Sequence, residues 1–178
     1  MHFLEHYYKQ IIKQDLINKF NYKTINNLPK LKKIILNFGC KNFSMQNIAK
    51  TLLAMEIITT KKSTITVAQN SNILLKIQKG YPAGCKIILT KTDMYKFLAK
   101  LVIEIFPKIK DFSTLKITIK KNIFSFKLNN NTLILKELEE QYPLFSDLPN
   151  LDINIKTNSK TKNELLFIIK SFKLYITV

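Results

Sequence analysis

The segment His2-Phe3-Leu4-Glu5-His6 holds the chain's only two histidines four residues apart, with a glutamate beside the second. That is the inverted zinc-protease spacing, H-x-x-E-H. On a helix the two imidazoles would share a face, as two ligands of a tetrahedral zinc must, and Glu5 could activate a bound water. The motif begins at the second residue, however, where helices fray, and nothing downstream supplies a third ligand inside a cleft. An exposed helix end is the plainer reading, and a metal-dependent hydrolase built on His2, Glu5 and His6 is its competitor.

Other reactive groups are as sparse. Glu137, Glu139 and Glu140 form the one acidic cluster. Paired carboxylates can do acid–base work, but sequence neighbours on an exposed segment usually form a solvated face. Cys40 follows Gly39 with no histidine near enough to activate it. Cys40 and Cys85 lie far apart with no metal spacing around them, so buried thiols in a reducing compartment are expected. No phosphate-binding P-loop or dinucleotide fingerprint occurs. The expectation is a chain with no catalytic residues, no metal and no cofactor.

The most informative stretch is instead a basic turn, Lys76-Ile77-Gln78-Lys79-Gly80-Tyr81-Pro82-Ala83-Gly84-Cys85-Lys86. The chain has only three glycines, and two of them fall here on either side of Pro82. Glycine permits close backbone approach and proline fixes a turn, so a stiff cationic loop is predicted, suited to a polyanion.

Composition points the same way. A chain of 178 residues, 46% of them hydrophobic, suffices for one cored domain, here residues 1–178. Its formal charge of +17 exceeds what solubility needs and indicates nucleic acid or an anionic membrane surface. The longest apolar runs, such as Leu101-Val102-Ile103, are far too short to span a bilayer, so no membrane partner is expected. All 29 basic residues are lysine. Lysine neutralises phosphate as a point charge but lacks the fork that reads guanine, which favours backbone and shape recognition over base readout. The excess of Ile, Asn, Lys, Phe and Tyr is what an AT-rich coding sequence produces. No secretory or transit segment is apparent at the N-terminus, so an organellar protein of this kind would be made inside the organelle.

Periodicity supplies the elements that position these groups. Residues 2–20 read as an amphipathic helix with Leu4, Tyr8, Ile11, Ile12, Leu16 and Phe20 on one side. Residues 31–38 read as a strand, and Ser44 caps a helix bearing Met45, Ile48, Leu52 and Met55. Ser63–Val67 alternates, with Ile65 and Val67 facing one way and the threonines the other. The basic loop covers about 68–83 and strand 85–90 leaves it. Asp93 or Thr92 caps a helix carrying Phe97, Leu98, Leu101, Val102 and Ile105, which Pro107 ends. Segments 115–120 and 123–128 read as strands, and Asn129-Asn130-Asn131 is a turn before Thr132–Leu135. Leu151, Ile153 and Ile155 alternate in another strand, and a last helix spans about 161–172. The pattern predicts an α+β fold: a largely antiparallel sheet, helices packed on one face and a protruding basic loop. Thr64, Thr66, Lys86, Lys116, Thr118, Asn154 and Lys156 fall at polar positions of the other face. That face is either an ordinary solvated one or a surface for a ribose–phosphate backbone.

Several motifs in order resemble one family. Leu4 with Tyr7-Tyr8-Lys9, Phe20-Asn21-Tyr22, Pro29-Lys30 and Lys33-Ile34-Ile35-Leu36-Asn37-Phe38-Gly39 come first. Gly80–Lys86, Pro107-Lys108-Ile109-Lys110-Asp111-Phe112, Leu151–Ile155 and Thr157–Lys160 follow. Over nearly its whole length the chain resembles the bacterial-type large-subunit ribosomal protein number five family. The resemblance implies an α+β fold whose sheet and loops bind 5S rRNA in the central protuberance. Asn37 matches an RNA-contacting family position, with Lys33, Thr64, Thr66 and Lys86 as the other rRNA-binding candidates. Lys76, Gln78, Lys79, Gly80 and Tyr81 correspond to a loop facing the peptidyl-site tRNA. Lys110, Asp111 and Phe112 lie where an intersubunit contact with a small-subunit head protein is implied. Expected partners are thus 5S rRNA, large-subunit rRNA, peptidyl-site tRNA and neighbouring ribosomal proteins.

The chain departs from the family in two places. Val67-Ala68-Gln69-Asn70-Ser71-Asn72 is nearly uncharged where the family loop is more basic. A glycine-bearing stretch expected near 122–131 is replaced by Phe124, Phe126 and three asparagines. Composition favours a mitochondrial ribosome, with the cytoplasm of an AT-rich bacterium as the alternative source. An RNA chaperone acting off the ribosome is the remaining functional alternative.

Overall fold

The apolar side of the N-terminal segment follows Tyr8, Ile12 and Leu16, all buried, at a uniform spacing of four residues. In the computed structural model Phe3–Tyr7 (α1) and Lys13–Lys19 (α2) are α-helical, while Tyr8–Ile12 between them winds as a π-helix. The wider π turn rotates Ile11 outward to 47% exposure, against the expectation that it joins the apolar side. The structure describes residues 2–39, 44–71, 77–109, 115, 117–129, 138, 142–145 and 148–174.

Met45–Thr59 forms α3, and Ser44 caps it as predicted, its hydroxyl accepting from the Asn47 N–H at 3.3 Å. Ile48 and Met55 are buried, but Met45 in the first turn is exposed. Lys91–Lys100 is α4, continued by a π-helical turn, Leu101–Ile105, and a 3-10 turn, Phe106–Lys108. Its N-cap is Thr90 rather than Thr92 or Asp93, and Asp93 sits in the first turn, where it complements the helix dipole. Tyr142–Phe145 is a short α5. Lys162–Ser171, α6, starts with a capping box in which Thr161 and Glu164 each accept the other's backbone N–H.

Six strands, Leu31–Gly39 (β1), Thr64–Val67 (β2), Pro82–Leu89 (β3), Thr118–Ile119 (β4), Ile123–Leu128 (β5) and Leu151–Thr157 (β6), hydrogen-bond in the order β2-β3-β1-β6-β5-β4. The fold is α+β with an antiparallel sheet, as the periodicity implied. Two boundaries differ from expectation. The strand leaving the basic loop begins at Pro82 rather than residue 85, because its first residues pair with β2. In the 115–120 segment only Thr118 and Ile119 are described as strand. Lys76, Lys110, Asp111, Phe112, Lys116, Cys40, the acidic cluster of Glu137, Glu139 and Glu140, the last two residues of the asparagine turn, and Thr132–Leu135 lie outside the described residues.

Two compact units divide the chain: Met1–Ile35 with Leu89–Lys127 and Ile153–Val178, and Leu36–Ile88 with Leu128–Asp152. In the first, Tyr8 stacks on Phe172 at 6.4 Å and donates its hydroxyl to the Pro29 carbonyl at 2.9 Å. Phe20 meets the edge of Phe167, and Phe106 and Phe124 both pack on Phe126. The two phenylalanines of the departing 122–131 region are therefore core residues. In the second unit α3 lies along β3, the Cys85 thiol reaching the Thr51 carbonyl at 3.5 Å.

Candidate nucleic-acid interface

Alternation along the strands separates a covered side from an open one. Leu36 and Phe38 of β1 and Cys85 and Ile87 of β3 are buried. The intervening Asn37, Lys86 and Ile88 point the other way, half-buried or exposed. Between β2 and β3 the register pairs Thr64 with Lys86 and Thr66 with Gly84. Asn37, Thr64, Thr66 and Lys86 therefore belong to one face of the second unit, as the sequence predicted. Lys33 shares the parity of Asn37 on β1 and is also half-buried.

The same register overturns one expectation. Ile65 and Val67 alternate with the threonines, yet they are 52% and 58% exposed. The cause is position: β2 is the terminal strand in the sheet order, and no described element covers its outer side.

Chemistry on the open face is specific. Thr64 donates its hydroxyl to the Lys86 carbonyl at 2.9 Å, so outward it presents acceptor lone pairs suited to a ribose 2′-hydroxyl. Asn37 offers both donor and acceptor, and Lys86 supplies the positive charge. None of the described residues at these positions carries a carboxylate. Ile88, 49% exposed on the same face, was not singled out from the sequence, although the strand parity already placed it there.

Beside this face the basic turn closes tightly. The Tyr81 N–H donates to the Gln78 carbonyl at 3.2 Å, and Gly80 at the third position has φ of +88°. That is a type II turn, which selects glycine there. Ala68 fastens the base of the loop: its N–H donates to the Tyr81 carbonyl at 2.8 Å and its carbonyl accepts from Gly80 at 2.9 Å. Gln78, Lys79 and Tyr81 are left exposed. Gly84 serves a different purpose from the surface approach the sequence suggested. A Cβ there would overlap the Phe38 carbonyl oxygen, so β1 itself requires the glycine.

The zinc-like motif does not assemble. His2 is the N-cap of α1, its Nδ1 accepting from the Leu4 N–H at 3.3 Å, and Glu5 pairs with Lys9 at 3.0 Å. No group of three potential ligands converges among the described residues.

Comparison with known proteins agrees with this surface. A family model describing the C-terminus of the uL5-type ribosomal proteins matches residues 82–175. The chain is 34% identical over 177 residues to large ribosomal subunit protein uL5m of Reclinomonas americana, spanning 98% of this chain and 97% of that protein. It is 32% identical over 170 residues to large ribosomal subunit protein uL5 of Nitrosomonas europaea, 94% of each chain. With an α+β sheet, a cationic surface free of catalytic groups and full-length likeness to both, the chain belongs to the uL5 family of large ribosomal subunit proteins, a family of non-enzymatic components.

Proposed function

We propose that this chain is a structural constituent of the large ribosomal subunit that binds 5S rRNA in the central protuberance through the open face of β1, β2 and β3. The observation that carries the reading is the juxtaposition, in one unit, of the Asn37 amide, the Thr64 and Thr66 hydroxyls and the Lys86 ammonium. Amide, hydroxyl and ammonium groups fit phosphate and 2′-hydroxyl, the backbone features of folded RNA. Lys33 extends the same strand. Residues 1–178 work in this reading as one RNA-binding domain.

The exposed Gln78, Lys79 and Tyr81 of the rigid turn, with Gly80 setting its shape and Lys76 before it, face the peptidyl-site tRNA. Lys110, Asp111 and Phe112 meet a small-subunit head protein; their support is the sequence likeness. The AT-type composition and the likeness to a mitochondrial relative favour a mitochondrial ribosome.

Titration of a 5S rRNA transcript with the purified chain tests the central contact. Asn37→Ala should weaken binding about tenfold, the loss of one or two hydrogen bonds, with an unchanged Tm. Affinity should also fall steeply as salt rises, through counterion release. An unchanged Kd in a folded Asn37→Ala variant refutes the assignment.

A further inference from the structure

A second cationic surface lies within the first unit, at the C-terminal end of β6. Residues 157–160 are hydrogen-bonded to two other segments. On one side Asn158 and Lys30 are doubly joined: the Lys30 N–H donates to Asn158 Oδ1 at 2.5 Å, and the Asn158 N–H donates to the Lys30 carbonyl at 3.2 Å. Asn158 Nδ2 adds a bond to the Leu28 carbonyl at 3.4 Å. On the other side the Thr157 N–H donates to the Asn122 carbonyl and the Ser159 hydroxyl to the Lys121 carbonyl, both at 2.9 Å. The Lys120 N–H in turn donates to the Ile123 carbonyl, holding the tight β4–β5 hairpin.

Lys30, Lys120, Lys121, Lys160 and Lys162 are all exposed around this junction. Adjacent extended segments lie about 4.8 Å apart, so the three backbones bring these lysines within about 10 Å of one another. None forms an ion pair among the described residues. Lys160 Nζ donates only to the neutral Asn27 side chain, at 3.2 Å. The nearby carboxylate, Glu164, is buried and accepts from the N–H groups of Lys160 and Thr161.

Unpaired like charges at such spacing, near one Debye length, repel and oppose the compact state. Here they are held on a backbone that five hydrogen bonds prevent from spreading. A protein surface would need several carboxylates arranged to match; a phosphate backbone carries its charges at regular intervals and satisfies lysine without geometric demands.

We infer that this lysine junction is a second RNA-binding surface, separate from the Asn37–Lys86 face, and that it takes the phosphate backbone of structured ribosomal RNA. The inference rests on reading the chain as an RNA-bound ribosomal component. It gives the chain two RNA contacts, one in each compact unit.

Lysine acetylation of the purified large subunit, read by mass spectrometry, tests it. Lys30, Lys121 and Lys160 should react at least about tenfold more slowly than in the free chain and recover after nuclease digestion. If they stay reactive while Lys86 is protected, the junction is solvent-facing and the inference fails, with the first RNA face intact. If Lys86 is unprotected as well, the proposed function fails too. Protection that survives nuclease identifies a protein neighbour and overturns the inference. In a second arm, the K30Q/K121Q/K160Q variant should leave the subunit at lower salt, with a log–log salt slope smaller by about 2–3. An unchanged slope in the folded variant refutes the RNA contact.

Discussion

Gly84 and Phe38 approach so closely that a Cβ on the glycine would overlap the phenylalanine's carbonyl oxygen. The obstacle is backbone in a central strand, not the end of a flexible side chain. Gly84→Ala therefore must push β1 and β3 apart beside Asn37. We expect a stability loss of about 3 kcal/mol, at the upper end for overpacking, measured as a lower urea midpoint. Binding to 5S rRNA should weaken with it. A native midpoint would show that β3 yields without cost.

Gly80 tests the turn separately. Its φ of +88° lies where L side chains are strained, but nothing stands within 4 Å of a Cβ there. Gly80→Ala should cost about 1–2 kcal/mol through the backbone alone. The 5S rRNA affinity of the folded variant should be unchanged, while peptidyl-site tRNA occupancy on reconstituted ribosomes falls. Equal loss of both would show that turn and sheet face are one site.

Thr60 offers the opposite sign. It closes α3 in the left-handed region at φ of 54°, its N–H donating to the Glu56 carbonyl at 2.7 Å. A β-branched residue is costly in that conformation, where glycine is the usual choice. Thr60→Gly should stabilise the chain by about 1 kcal/mol in chemical denaturation. A lower midpoint would mean that the Thr60 hydroxyl, bonded to the Thr59 carbonyl at 2.7 Å, outweighs the strain.

Tyr8 and Tyr95 give a pH prediction. Burial pushes each phenol from its ordinary 10 up to about 12. The unfolded chain then loses these protons first, between pH 10 and 12. Their contribution is fully present below pH 10 and is lost as pH rises through 12. Tyr8→Phe should lower stability by about 1 kcal/mol at neutral pH by removing the hydroxyl's bond to Pro29, yet flatten the alkaline decline. Urea midpoints across about pH 9–12 read both effects, and parallel curves for the two proteins would contradict the assignment.

What could be read in advance follows from where the information is local. Ser44, Thr161 and the alternation of Leu151, Ile153 and Ile155 act through neighbours in sequence, and each does what its residue type predicts. Asn37, Thr64, Thr66 and Lys86 needed only strand parity to be placed on one face. The misses were tertiary. Ile65 and Val67 alternate like inward residues, but an edge position leaves them uncovered. Ile11 needed the π turn, which no periodicity of 3.6 reveals. Gly84's role depended on knowing which strand lies beside it, and the lysine junction on hydrogen bonds spanning up to 128 residues of sequence.

The outer rim of β2 has an implication for the life of the chain before assembly. With its isoleucine and valine uncovered and its ladder partnered on one side only, that rim is a template for another copy, guarded by Lys61 and Lys62 just ahead of it. Orphan copies made in excess of their RNA are thus drawn toward fibrous or amorphous precipitation. Cells gain by keeping synthesis in step with ribosome production.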